Sequence, residues 1–367
     1  MSSDKELEAI IVGGSLAGLV AALALARTGA SITVVERASR HRTGAALTTS
    51  PSELTRVLGP ELGAKVAGKL AEPGRRLSGS QSIVWHDLRA ALVDAVHESE
   101  NVTLREGIEV TRIDEGETSV SVELESGVIL EADLVIGADG HRSIVRHVVA
   151  PDRPNAEFAG YLLWVGIAEE RDLNLSGGWP HGFDIISAGP EILLGYPLPS
   201  PKGSLEKGQR RLGFAWYDAG HNQLLRQAGA VRDGVVRHSM KPEDIPEEIY
   251  QKLARKSQRR WPDPWRAAIE DCVRRRDITA TPIAEYVPER LVSSRCALVG
   301  NAAHVPTPMT GRGFAVSVDD AVALAEVLAS TTPNEIPAAL LEYEKDRLGS
   351  ARNLVQSGQS FSRSFAG

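Results

Sequence analysis

Residues 9–36 read AIIVGGSLAGLVAALALARTGASITVVE, and the order of residue types within them decides the fold. Ala9–Val12 is a short apolar run of the kind that forms a buried parallel strand. Gly13-Gly14-Ser15-Leu16-Ala17-Gly18 follows as a tight turn. Leu19–Arg27 carries alanine and leucine at helical density, and Gly29 is placed to end that helix. Ser31–Val35 is β-branched and apolar, a second strand that stops at Glu36. Strand, glycine turn, helix, strand and acid together make a dinucleotide-binding unit. Its helix N-terminus presents free N–H groups to a pyrophosphate, and small residues let the backbone approach it. Glu36, eighteen residues after Gly18, is the acceptor for ribose hydroxyls. Ser15 stands where the G-x-G-x-x-G pattern has its second glycine; it adds a Cβ but also a hydroxyl donor. Taken alone, the stretch also admits a plain βαβ unit with an incidental glycine turn.

Composition narrows the function classes. The 367 residues suffice for two domains or one large one, and 42% hydrophobic with 24% charged content is ordinary for a globular chain with a full core. The net charge of −7, from 41 basic and 48 acidic residues, implies no nucleic-acid partner. Lys256–Arg260 and Arg274–Arg276 read as solvated helix faces. Cys272 and Cys296 offer neither metal-ligand spacing nor a disulfide framework, which fits a reducing compartment. The first residues, MSSDKELE, do not resemble a signal peptide, and no run of about 18 apolar residues is present to span a bilayer. A cytoplasmic protein without metal or membrane partner is expected.

After Glu36, Arg37–Gly44 and the small residues beyond it suggest a loop that runs beside a flat ligand or merely connects elements. Ser52–Leu70 reads as a helix pair broken at Gly59-Pro60 and at Gly63, and Trp85–Val96 as an amphipathic helix. Short strands fill residues 101–136, the last leading into Gly137-Ala138-Asp139-Gly140-His141-Arg142-Ser143-Ile144-Val145-Arg146. Phe158–Ala168, Gly182–Ser187, Ile192–Leu198 and Arg211–Tyr217 alternate as a mainly antiparallel sheet rich in aromatics. Phe183, Tyr196, Phe214 and Trp216 are its candidate ring-binding residues, with Pro306 from a later loop; the competing reading makes these aromatics core. Pro242–Arg276 is helical with an interruption at Trp261–Pro264. Cys296–Val299 is a further strand, followed by Gly300-Asn301-Ala302-Ala303-His304 and the loop Val305–Gly313 before a helix, Phe314–Leu328. Prolines and glycines make that loop rigid, with backbone N–H groups suited to an electron-rich ring edge. A long helix from Ile336 closes the chain.

Three motifs in order, G-G-S-L-A-G…Glu36, G-A-D-G-H-R-S-I-V-R and V-G-N-A-A-H-V-P-T-P-M-T-G-R-G, resemble the FAD-dependent aromatic hydroxylases of the p-hydroxybenzoate hydroxylase superfamily. The resemblance spans essentially the whole chain. It implies an α/β fold with α+β insertions: a Rossmann-like FAD-binding domain (1–75 and 76–155) interleaved with a mainly antiparallel-sheet substrate domain (156–285). Residues 286–367 then return to the FAD domain as the flavin-ring loop and C-terminal helices.

Carried over position by position, Gly13, Gly14, Ser15, Leu16, Ala17 and Gly18 would frame the FAD pyrophosphate, and Glu36, with Arg37 beside it, the adenosine ribose. Val110 would touch adenine through its backbone. Asp139 and Gly140 would serve both FAD and the nicotinamide donor. Asn301 would reach the ribityl chain, and Pro308 with the backbone from Gly311 through Gly313 to Ala315 would border the isoalloxazine. The departures are Ser15 for glycine, Asn301 for aspartate, Trp85 for an arginine, Ser317 for a glycine and Ala315 for an asparagine.

The implied chemistry is hydroxylation of a small aromatic or N-heteroaromatic substrate by O2, through a flavin C4a-hydroperoxide formed after transient reduction by NADH or NADPH, in a monomer or homodimer. Two alternatives stand beside it: a flavin oxidoreductase without oxygen insertion, and a relative that has lost FAD and acts as a binding module or redox-independent catalyst. No catalytic base stands out. His304 reads as structural, and His181, His221 and His238 have no assigned place.

Overall fold

The computed structural model describes residues 6–39, 46–71, 81–175, 178–180, 182–200 and 204–367. Residues 40–45 of the loop after Glu36, and His181, lie outside these. The described chain forms two compact units, one of residues 6–39, 47–156 and 285–359, the other of residues 157–284 and 360–367 with residue 46.

The first unit is built on a five-stranded parallel sheet in the order Cys296–Leu298, Leu134–Gly137, Glu8–Val12, Ser31–Glu36, Val102–Glu106. Register pairs Ile11 with Val34 on one side and with Ile136 on the other. Most of these strands are apolar because both faces are covered, and Ile11, Val34, Val135, Ile136 and Leu298 are all buried, whereas the edge strand Val102–Glu106 is largely exposed. The helix Leu16–Ala26 is buried on nearly every side, which its density of alanine and leucine foreshadows. Helices Pro51–Leu58 and Pro60–Leu70 meet at Gly59, the first opened by a capping box in which Ser50 and Glu53 satisfy each other's backbone N–H groups. Gly63 does not break the second helix, contrary to expectation. It lies inside Pro60–Leu70, where a Cβ would come within 2.6 Å of the Thr55 Cα, so its role is close helix packing. A three-stranded antiparallel sheet, Val110–Glu115, Val120–Leu124 and Ile129–Ala132, completes the unit's β structure together with the short pair Ala46–Thr49 and Gln81–Val84.

The second unit is an antiparallel sheet whose strands run Asp184–Ala188, Glu191–Leu198, Arg211–Asp218, Glu157–Glu169, Val235–Val236, Val231–Arg232, with Thr279–Glu285 also paired to the long strand. Strand alternation divides its aromatics between two faces. Phe214 and Trp216 face the helices Glu247–Arg260 and Trp265–Arg275: Trp216 meets Trp261 edge-on at 5.5 Å, and a Cβ on Gly166 would strike the Phe214 ring and Cys272 Sγ. Tyr161, Tyr196 and Tyr217 point to the opposite face, as the pairing of Leu163 with Tyr217 and of Tyr196 with Gly213 requires.

The last helix, Ile336–Ala366, runs through both groupings. Its residues to Gln359 belong to the first unit, and Phe361 and Phe365 pack on Tyr161 and Tyr217 in the second. Among the described residues no helix is long and apolar enough to cross a membrane.

Candidate cofactor site

Parallel strands end with their carboxyl termini on one edge of the sheet, and the strand order reverses beside Glu8–Val12, so the loops there splay apart and leave a crevice. Three loops leave that edge: Gly13–Ser15, Ala138–Arg142 and Val299–Ala303. They are tied at their roots, Gly13 N–H donating to Val35 O (2.8 Å), Ala138 N–H to Val12 O (2.8 Å) and Val299 N–H to Gly137 O (2.9 Å).

The glycines of the first loop are sterically required. Gly13 has φ +107°, and a Cβ there would lie 2.4 Å from Ala138 O; at Gly18 it would lie 1.9 Å from Gly13 O. Ser15 needs no such freedom. Its φ of −83° and ψ of −174° are extended backbone open to any residue, and its hydroxyl makes no cap bond to the helix it precedes. That leaves the hydroxyl and the first-turn N–H groups of Leu16–Ala26 as donors for an anion. Glu36 accepts from Gly14 N–H at 2.6 Å through Oε2 and from Ala38 N–H at 2.7 Å through Oε1, which pins the carboxylate beside the turn. Arg37 is exposed and pairs with Glu109 at 3.3 Å. Val110 begins the strand Val110–Glu115 and is buried.

In the second loop Asp139 Oδ2 accepts from Ile144 N–H at 2.6 Å, while Oδ1 is enclosed without any hydrogen-bond partner. Burial raises the Asp139 carboxyl above the usual range, against the bonds from Ser143 and Ile144. His141 is pushed down to about 4 by burial and by Arg142, Arg146 and Arg37, so it is neutral at pH 7. Gly140 takes φ +79°, the left-handed conformation that lets the loop turn away after Asp139.

Arg146 ties this loop to the third. Wholly buried, it donates to the carbonyls of His141, Pro154 (2.6 Å) and Ala302 (2.9 Å), reaches Asn301 O at 3.5 Å, and lies 4.2 Å over the Tyr286 ring. Asn301 itself is exposed on its short 3₁₀ turn. Beneath that turn Asp320 receives Gly300 N–H (2.9 Å), His304 Nε2 (2.8 Å) and Arg347 Nε (3.1 Å). Burial would raise the Asp320 carboxyl, but His304 and Arg347 with the Gly300 N–H outweigh it and hold it below the usual carboxylate range. His304 is therefore a buried brace of the loop. Pro308, Gly311 and Arg312 are exposed, Pro306 and Gly313 half-buried, and the helix Gly313–Leu328 starts without a side-chain cap.

Among the ring-binding candidates, Phe214 and Trp216 are both fully buried against the helices, on the face opposite Tyr196. Tyr196 lies over Gly213, where a Cβ would come within 2.2 Å of its ring, and Phe183 meets it at 5.7 Å. His221 serves as a partner of Asp218 (2.8 Å), which Trp164 also holds at 2.9 Å.

Nothing in the sequence alone assigns a role to Arg89, Arg146 or Arg347. Arg89, buried on the helix Trp85–His97, donates to Gly14 O (3.1 Å) and pairs with Glu106 (2.7 Å), a brace four residues after the tryptophan that replaces the expected arginine. An arginine on the apolar stripe of an amphipathic helix was its one visible signal.

The arrangement fits FAD. The uncapped helix start, the glycine cradle that a Cβ would fill, and the unpartnered Asp139 Oδ1 supply donors, room and a free acceptor for a polyhydroxylated diphosphate ligand. A family model described as FAD binding domain matches residues 74–198 and 235–358, and one described as NAD(P)-binding Rossmann-like domain matches residues 11–59. The aurachin C monooxygenase/isomerase of Stigmatella aurantiaca is 28% identical over an alignment covering 95% of this chain and 87% of that protein. The 2,6-dihydroxypyridine 3-monooxygenase of Paenarthrobacter nicotinovorans is 26% identical over 92% and 86%. The solved 2,6-dihydroxypyridine-3-hydroxylase from Arthrobacter nicotinovorans shares the fold, with a TM-score of 0.75 at 22% identity over 99% of this chain and 94% of that one. The chain belongs to the FAD binding domain family.

Proposed function

We propose that this chain hydroxylates a small phenol-like or hydroxypyridine-like ring, with NADH or NADPH as the transient reductant and O2 as the oxygen source. The observation that carries the reading is the convergence of three loops at one sheet edge, with a buried acceptor, Asp139 Oδ1, left for a ligand. Glu36, Asp139 and Asn301 would bind the ribose and ribityl hydroxyls, Ser15 and the N–H groups after it the diphosphate, and the backbone Gly311–Gly313 the ring edge. When bound, FAD supplies the redox and oxygen-transfer chemistry. The protein's own tasks are to orient the ring and keep out water. The pyridine hydroxylated by one relative supports an N-heteroaromatic substrate, as does the uncharged pair Phe183 and Tyr196.

The test is oxidation of NADH and of NADPH by the FAD-loaded protein in air with a panel of hydroxypyridines and phenols, with products weighed by mass spectrometry. A product heavier by one oxygen atom is expected. Substrate-stimulated turnover that yields only a dehydrogenated product would replace this reading with an oxidoreductase that inserts no oxygen.

A further inference from the structure

The C-terminal helix Ile336–Ala366 meets the loop Val305–Gly313 at a residue without a side chain. A Cβ on Gly358 would lie 2.6 Å from Thr307 Cγ2 and 3.2 Å from Thr310 Cγ2. Gly358 takes no unusual backbone angle, so its lack of a side chain is needed for space alone. Val355 and Ala351 are buried about one and two turns before it on the same face. Thr307 is fully buried, and as a β-branched residue it has few rotamers to retreat into. Its carbonyl accepts from both Thr310 N–H (3.1 Å) and Thr310 Oγ1 (3.0 Å), and Pro308 O accepts from Gly311 N–H (3.0 Å), so a shift of Thr307 carries the whole turn with it.

We propose that Gly358 is a positioning residue for the cofactor: by letting the helix lie directly on Thr307 and Thr310, it sets where Pro308 and the Gly311–Gly313 backbone stand. The inference rests on the reading that this loop borders the flavin ring. Gly358 and Thr307 are both buried, so Gly358 acts through Thr307.

Gly349 provides a control. It sits in the same helix, exposed, with open space for 4 Å around the place a Cβ would take. Gly349→Ala and Gly358→Ala gain the same helix propensity, but only the second intrudes on the loop. With the full-length, FAD-loaded protein, Gly358→Ala is expected to weaken FAD binding about tenfold and to shift the bound-flavin absorption bands. Gly349→Ala is expected to change neither. Thr307→Ser removes the obstructing methyl and, combined with Gly358→Ala, is expected to restore both readouts. A purely structural role would lower the melting temperature of the FAD-free protein without moving the spectrum.

Wild-type affinity and spectrum in Gly358→Ala, or a loss that Thr307→Ser fails to relieve, would overturn the proposal. If Gly358→Ala does not fold, Thr307→Ser alone opens the same contact, and an unchanged spectrum there overturns it equally. A wild-type protein that binds no FAD removes the functional reading itself and this inference with it. Wild-type binding with indifferent variants removes only the role of Gly358.

Discussion

At the scale of single residues, the replacement of a motif glycine by Ser15 shows how a pattern and its physical reason can part. The glycine rule guards against a strained backbone or a blocked approach, yet Ser15 has an ordinary extended conformation and a hydroxyl that makes no cap bond. Ser15→Gly therefore relieves nothing. Its expected effect is FAD binding weaker by about fivefold, the worth of one hydrogen bond, with stability changed by only a few tenths of a kcal/mol as for other glycine caps. Flavin titration followed by fluorescence reads it, and tighter binding by the glycine variant would reject this account. Asp320 is the second case. Its carboxyl is held below the usual range by His304 and Arg347, so its contribution is complete above the unfolded value near about pH 4 and lost as the pH falls through the lowered folded value. Asp320→Asn is expected to cost about 3 kcal/mol at pH 7 in urea unfolding, a gap that narrows below about pH 4. A gap independent of pH would assign the loss to packing.

At the scale of elements, Gly63 and Gly68 occupy one helix and answer different demands. A Cβ at Gly63 would press on the backbone of Thr55, whereas Gly68 is exposed with open space around it. Gly63→Ala is expected to destabilise by about 2 kcal/mol through overpacking, and Gly68→Ala to stabilise by about 0.5–1 kcal/mol through helix propensity. Equal effects of the two in denaturant unfolding would sink the distinction. The same pair explains what the sequence could and could not convey. Glycine's local meaning, a breaker or a turn, is legible; its meaning as a place where two elements touch depends on a partner far along the chain. The parallel strands and their helices were readable because burial on both faces writes continuous apolar runs. The placing of Phe214 and Trp216 was not legible, because alternation reveals that a strand has two faces but not which one the helices cover. Arg347 takes its position from a carboxylate 27 residues away, and Arg146 in part from a carbonyl 156 residues away, and no spacing rule records such partners.

At the scale of the whole molecule, a ligand held by three loops should leave a footprint of the same shape. FAD binding to the folded protein stabilises it by about 2.7 kcal/mol at a hundred times the dissociation constant, with the melting temperature rising further as FAD is added. That gain cannot be uniform, because local opening is governed by local contacts. Hydrogen exchange with and without FAD is expected to slow at residues 13–18, 138–144 and 299–313, where backbone N–H groups end strands or begin helices. The strands Glu191–Leu198 and Arg211–Asp218, whose amides already pair within their sheet, have no new partner to gain from the cofactor. Protection confined to residues 13–18 would mean that only the adenosine half is held, as expected if Asn301 no longer supports the ribityl chain. Protection of all three loops, with the sheet unchanged, would show that Asn301 and the loop beyond it still close on the flavin, and that a carboxamide suffices where the resemblance led us to expect a carboxylate.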